Sequence, residues 1–272
     1  MRKILLALLA VLFLVSSDTA GADASTSSAS KLDELQLRAA TLGFMAGLDE
    51  AVFAVSEALT IQEALEILEI RELVSSTQID NLYRENEIAA DMRFEGKLTL
   101  VTGKVVSVSR DASGAPCITL SGASPLQNVQ TRFGKESMNE LAKLRKDQYV
   151  RLVCSGSSYA SATVILDGCS TFETFLVSRF DAAMALTAKV INGQAKIHPT
   201  MDFAVLASYH LSRILPKDSA CYTGFDFWAC DKEIDKIMTP ENYTKFIAED
   251  VRQRLREMHE GPSEVTTNDR MT

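Results

Sequence analysis

Histidine is scarce in this chain, three in 272 residues, and His198, His210 and His259 form no H-x-x-x-H pattern. No C-x-x-C pair is present, so the commonest sequence arrangements of zinc ligands are missing. Neither the G-x-G-x-x-G nor the Walker phosphate loop occurs, and no G-x-S-x-G elbow presents a nucleophilic serine. Positive charge is also short: 28 Lys and Arg against 36 Asp and Glu leave a formal charge of −8. A chain that grips phosphate backbones needs a net basic footprint. These absences predict no catalytic residue, no cofactor and no metal site, and they count against nucleic acid as the ligand.

Long apolar runs are lacking too, with one exception at the N-terminus. Arg2 and Lys3 precede the run Ile4 to Val15, and Ala20-Gly21-Ala22 follows it with small residues. This is the layout of a cleavable signal peptide, with cleavage expected after Ala22. A spanning helix needs about 20 apolar residues, and Ser16-Ser17-Asp18 ends this run too soon. A lipid anchor would need a cysteine just beyond it, and the first is Cys117. The expectation is therefore a soluble mature chain, periplasmic or secreted, with a flexible start at 23–31 and no membrane span after cleavage.

Export changes how the five cysteines are read, because thiols oxidise in such compartments. Cys154 and Cys169 are expected on successive strands, and Cys221 and Cys230 bracket a short loop. Each pair closes a small ring that restrains the unfolded chain by about 3 kcal/mol in the entropy model. Cys117 is left over, as a buried small hydrophobe, or else as a free thiol or an alternative disulfide partner.

From Leu32 to about Ser75 apolar residues recur at helical spacing, as in Leu42, Met45, Leu48 and Val52, which predicts two amphipathic helices. Glu63, Glu66 and Glu69 fall together on the outer face of the second, as a solvated surface. A further helical segment covers Ile79 to Met92. The period then changes to two, predicting strands at Leu98–Val108, Cys117–Leu120, Val129–Phe133, Tyr149–Ser155 and Ala162–Leu166, with a helix at Ser137–Leu144 before the fourth. Five short strands in this order outline an OB-like barrel.

The same segment carries a recognisable pattern. Leu82-Tyr83-Arg84-Glu85-Asn86-Glu87-Ile88-Ala89-Ala90-Asp91 leads to Phe94-Glu95-Gly96-Lys97 and Val101-Thr102-Gly103-Lys104-Val105. It resumes at Leu141-Ala142-Lys143-Leu144-Arg145-Lys146-Asp147-Gln148 and closes with Leu166-Asp167-Gly168-Cys169. These residues resemble the tRNA-anticodon-like OB-fold family of bacterial envelope proteins and lipoproteins, over residues 79–171. Two positions depart from that pattern: Asp147 stands where the family usually has glycine, and Thr131 where cysteine is common. Single-strand binding by OB folds combines a basic groove with stacking aromatics. Only Phe133 and Tyr149 offer rings on the expected strands, without a Lys/Arg stripe. Tyr83, Asn86 and Glu87 are expected to pack and cap rather than to contact a ligand.

After Thr171 the helical period returns, with a turn at Asn192-Gly193, a boundary at Pro199, a helix over Met201–Leu215 and another opened by Thr239-Pro240-Glu241 and running to His259. Tyr222, Phe225, Phe227 and Trp228 crowd between Cys221 and Cys230, and Trp228 is the single tryptophan. A disulfide-closed aromatic loop is a candidate partner-binding surface if exposed, and a core plug if not.

The sequence thus predicts an α+β protein: a signal peptide at 1–22, a helical segment at 32–78, a central five-stranded OB-like β-barrel at 79–171, a helical C-terminal region at 172–260 and a disordered tail at 261–272. The expected function is that of an exported, non-enzymatic binding or adaptor protein of the bacterial envelope. Its expected partner is another envelope or secreted protein, with a small molecule as the second option. The alternative is an inhibitor or immunity protein that neutralises a secreted toxin, because the helix Leu42-Gly43-Phe44-Met45-Ala46-Gly47 loosely resembles those of type VI secretion immunity proteins. Nucleic-acid binding and a hydrolase come behind both.

Overall fold

The computed structural model describes residues 33–53, 59–111, 113–124 and 126–246. The expected signal peptide, the stretch 23–31, the helix beyond Phe246 and the tail 261–272 lie outside the described residues. The chain divides into two units, one of residues Ile61–Ser178 and one formed by the segments before and after it.

The first unit runs α2 (Ile61–Ile67), β1 (Glu72–Ser75), α3 (Ser76–Glu85), α4 (Glu87–Phe94), β2 (Thr99–Arg110), β3 (Pro116–Ser121), β4 (Asn128–Phe133), a 3₁₀ turn (Lys135–Ser137), α5 (Met138–Leu141), β5 (Tyr149–Cys154), β6 (Gly156–Ala160), β7 (Thr163–Thr171) and α6 (Phe172–Ser178). The helix α1 (Glu34–Phe53) precedes them and belongs to the other unit. Strands β2, β3, β4, β7 and β5 are neighbours in that order, and β5 pairs back onto β2, so five strands close into a barrel. All pairings around the ring are antiparallel except β4 with β7, which is parallel. The chain is α+β, with an OB-type barrel in the middle of its sequence.

Alternation along the strands builds the core. Val101, Val105, Ile118, Leu120, Val129, Phe133, Leu152, Val164 and Leu166 point inward, and Ile79, Tyr83, Ala90 and Phe94 of α3 and α4 pack against them. Helix α3 starts where Ser75 and Gln78 form a reciprocal capping box, which satisfies two otherwise orphan backbone donors. Asn86 ends α3 and caps α4, its side chain accepting from the Ala89 amide at 3.1 Å. Asp80, wholly buried, takes Arg84 Nε at 3.0 Å and the Ala123 amide at 2.9 Å, tying α3 to the loop between β3 and β4.

Two strands were not legible in the pattern. The second N-terminal helix, expected to run to about Ser75, stops at Ile67, and β1 occupies Glu72–Ser75 in parallel register with Thr99–Thr102. Glu69 adopts φ 58°, which breaks the helix. Strand β6 pairs with β7 through Ala160 and Thr163, around a two-residue turn at Ser161 and Ala162. Its Gly-Ser-Ser sequence has little strand propensity, so pairing with β7 rather than composition makes it a strand. Cys154 and Cys169 are consequently not on successive strands, since β6 lies between β5 and β7 in the chain. The register Leu152 with Thr171 and Val153 with Ser170 nonetheless brings the two cysteines opposite one another, with S–S 2.08 Å.

The second unit collects α1 with α7 (Phe180–Ile191), α8 (Pro199–Leu211), a 3₁₀ turn (Ser212–Ile214), α9 (Phe227–Ile237) and α10 (Pro240–Phe246). The helical stretch expected after Thr171 is broken at Arg179, between α6 and α7. Helix α1 is buried on all sides from Ala39 to Asp49, and α8 from Met201 to Leu211. Such all-round burial marks central helices rather than surface ones. At Gly43 a Cβ would meet Ser208 Oγ at 2.8 Å, so small residues let α1 and α8 approach closely. Caps set the boundaries: His198 Nδ1 accepts from the Thr200 amide ahead of α8, and Gly193 at φ 70° follows α7, the usual glycine stop of a helix.

Candidate functional site

The outer face of β3 and β4 is polar. Thr119 on β3 lies beside Gln130 on β4, and Cys117 beside Arg132. Arg132 reaches Asp167 of β7 at 3.5 Å, both about half exposed. Cys117 is buried, with its sulfur 3.1 Å from Ser109 Oγ. Of the two expected ring donors, Phe133 is in the core at 4 % exposure, and Tyr149 stands out at 75 %. One strongly exposed ring is not the run of stacking platforms that single strands require, and Lys104, Arg132 and Arg151 on these strands are each paired with a carboxylate.

Tyr83 serves the fold. Its ring stacks with Tyr159 at 5.7 Å, and its hydroxyl donates to Asp91 Oδ1 at 3.0 Å and lies 2.7 Å from Ser157 Oγ. Burial, with the Asp91 carboxylate adding to it against the Ser157 hydrogen bond, pushes the Tyr83 phenol up to about 12. Glu87 is exposed at the start of α4. Asp147 adopts φ 68°, and its carboxylate pairs with Lys104 Nζ at 2.8 Å. This is the left-handed region, in which glycine is free of strain. Thr131 is fully buried and donates to the Ile118 carbonyl at 3.0 Å.

The aromatic segment between Cys221 and Cys230 has a different character. The two sulfurs are 2.08 Å apart. The segment is not a loop throughout: Asp226 caps α9, its Oδ1 accepting from the Ala229 amide at 2.8 Å, so Phe227 and Trp228 sit in the first helical turn. That geometry separates four rings which the sequence placed together. Phe227 is 4 % exposed and belongs to the helical core. Tyr222 is partly covered, its hydroxyl donating to the Ser212 carbonyl, and burial raises its phenol above the ordinary value. Phe225 and Trp228 remain 46 % and 38 % exposed.

The exposed Phe225 is held in place from behind. It meets Phe180 of α7 edge to face at 5.1 Å. The guanidinium of Arg38 lies 4.9 Å from the Phe180 ring and 4.8 Å from that of Phe225, and also donates to the Gly224 carbonyl. Cation–π contacts of this kind are worth about 0.5–2 kcal/mol each. Arg38 and Phe180 were not foreseen, because nothing local links residues so far apart in the chain. The arrangement offers two exposed apolar rings, Phe225 being braced by Phe180 and Arg38. Among the described residues no cluster of His, Cys, Asp and Glu is placed to hold a metal, and no helix is long and apolar enough to cross a membrane.

No curated protein matches the chain. Among solved structures, a lipoprotein of Klebsiella pneumoniae, for which nucleic-acid binding has been suggested, is 16% identical over 36% of this chain and 91% of its own, with a TM-score of 0.31. A family model covers more than half of the chain: residues 1–170 match that of the tRNA_anti-like family, and the protein belongs to it.

Proposed function

We propose that this is an exported, non-enzymatic adaptor of the bacterial envelope, which holds another envelope or secreted protein through the rim formed by Phe225 and Trp228. The observation that carries the reading is the exposure of these two rings on a segment closed by the Cys221–Cys230 disulfide. Rigid aromatics of low conformational entropy dominate the energetics of protein interfaces. Export is supported by the N-terminal run of the sequence and by two disulfides, which persist in oxidising compartments. Cleavage after Ala22 and a barrel domain over 79–171 are part of the same proposal.

The inhibitor reading stays second. The helix that suggested it, α1, is the central helix of the unit that bears the rim. Its Gly43 serves close packing against Ser208, so the motif speaks for the helical unit and not for a contact surface.

Photo-crosslinking from the exposed position of Thr223, within the same disulfide-closed segment, in intact cells tests the proposal. A discrete partner is expected, and Phe225→Ala with Trp228→Ala should weaken its binding at least tenfold, about 1.4 kcal/mol or more. Trp228→Ala should unfold within about 1 kcal/mol of the parent, whereas Phe225→Ala, which loses its contacts with Phe180 and Arg38, should cost about 1–3 kcal/mol, so binding is compared at a temperature where both variants are folded. Unchanged affinity in the double variant would overturn the reading. A partner with toxin activity that is lost on binding would decide for the inhibitor.

A further inference from the structure

Among the described residues, the far end of β2 has one edge without a strand beside it. Residues Thr99–Lys104 are flanked on one side by β5, and Thr99–Thr102 on the other by β1. The backbone of Val105 closes the β5 side, accepting from the Asp147 amide and donating to the Gln148 carbonyl, both at 2.8 Å. Beyond a register shift between Val105 and Ser107, β2 pairs only with β3, in the register Val108 to Ile118 and Arg110 to Pro116. The Asp111 amide donates to the Ala115 carbonyl across this hairpin. Alternation then turns the peptide groups of Ser109 toward β3 and those of Val108 and Arg110 outward. Residues Val106–Arg110 are all exposed.

An open strand edge is a template for another strand. Its usual protections are few here: the shift ahead of Ser107 bends the strand, and Arg110 is its one charge. Arg110 makes no ion pair among the described residues. The neighbouring Asp111 is already committed to its own turn, its Oδ1 accepting from Ser113 N at 2.8 Å, Ser113 Oγ at 2.7 Å and Ala115 N at 3.0 Å. The Ser113 hydrogen bond first, and the backbone amides with it, hold this carboxyl below its usual range. The Asp111 carboxylate is thus occupied by Ser113 and Ala115, and the cation of Arg110 is available to pair with a ligand.

We propose that Val106–Arg110 is a second binding surface, separate from the aromatic rim, which takes an extended peptide segment of a partner protein as an added antiparallel strand. The register names the ligand's chemistry: an acidic residue opposite Arg110, and an apolar residue two positions later opposite Val108. A second copy of the chain fits less well. Two-fold pairing centred on Val108 sets each Arg110 against Val106, leaving both cations unpaired, whereas a peptide can place a carboxylate opposite Arg110.

The test uses the full mature chain and a fluorescein-labelled seven-residue peptide with glutamate at one position and valine two later, against the same peptide with lysine for glutamate. The glutamate peptide is expected to bind about fivefold more tightly. Arg110→Glu should invert that preference without changing the thermal midpoint, because Arg110 makes no ion pair among the described residues. Hydrogen exchange should slow at the Val108 and Arg110 amides when peptide is added. Val108→Pro, which removes an outward N–H, should abolish binding, and the charge inversion keeps the test sound if that variant folds poorly. No binding at millimolar peptide, equal affinity for both peptides, or protection confined to other strands would overturn the proposal. So would sedimentation as a dimer with these two amides protected in the absence of peptide.

Discussion

Gly103 shows how a single position can constrain the barrel. A Cβ there would lie 2.6 Å from Ser76 Oγ and 3.0 Å from Leu120 Cδ1. Ser76 is fixed from its other side by donating to the Ser121 carbonyl at 2.7 Å. Neither neighbour can move without disturbing α3 or the core. Gly103→Ala is therefore expected to cost about 1–3 kcal/mol, the usual range for overpacking, read as a lower midpoint in denaturant at unchanged slope. A loss below about 0.5 kcal/mol would mean that Ser76 swings aside. The left-handed position at Asp147 differs in kind. Its left-handed backbone strain is borne locally, beside a solvent-screened pair of its carboxylate with Lys104, so the departure from glycine leaves the fold intact.

At the scale of elements, the hairpin of β6 and β7 is the least consistent part of the barrel. Ser161 and Ala162 carry φ values of 51° and 60° in a two-residue turn. Positive φ at both positions is the type I′ turn, which favours Asn-Gly because other L-residues resist that region. Replacing Ser161→Asn and Ala162→Gly together should stabilise the protein by about 1 kcal/mol or more. Arg84 would keep its bond to the carbonyl of residue 162, since that contact uses the backbone. A rise of a few degrees in Tm is the expected readout. This turn also explains why β6 escaped the sequence: neither its residues nor its turn had the usual signals. Strands β2 to β5 were legible because apolar residues alternate along them, and α3 and α4 as one segment over Ile79–Met92 because of the helical period, their start at Ser76 and their division at Asn86 appearing only in the structure. Strand β1 was hidden, since Glu72-Leu73-Val74-Ser75 continues a helical pattern and becomes a strand only by pairing with β2. The four aromatic residues could be found by composition, yet their division into core and rim could not, because it depends on where α9 begins.

For the whole molecule, pH acts through the helical unit. Asp231 on α9 is 7 % exposed. Burial first, with the carboxylates of Asp235 and Glu50 adding to it, pushes its carboxyl up to about 6 from an ordinary 3.8. The folded chain therefore holds a proton between pH 3.8 and about 6 that the unfolded chain has released. Stability from this group increases as pH falls through that window and is lost as pH rises through 6. A tenfold difference in proton affinity between the two states is worth about 1.4 kcal/mol, so the effect between pH 7 and 4 is at most about 3 kcal/mol. In Asp231→Asn the dependence should flatten, with the gain most visible near pH 7. Thermal unfolding of both proteins at pH 4.5 and 7 checks this, and parallel profiles would show that Asp231 titrates normally.

The sequence alone was enough to determine the barrel, because a period of two repeated over several segments can bury only one face of each. It also marked four cysteines as pairing candidates and excluded metal and phosphate-loop motifs. Tertiary structure decided what depends on residues distant in the chain. It joined α1 to α7, α8 and α9 in one unit across the intervening barrel segment, made strands of β1 and β6, and left Phe225 and Trp228 exposed while Phe227 entered the core. Local patterns report which residues want burial. Which of them obtain it depends on the long-range partners available to cover them, and no window of sequence contains those partners.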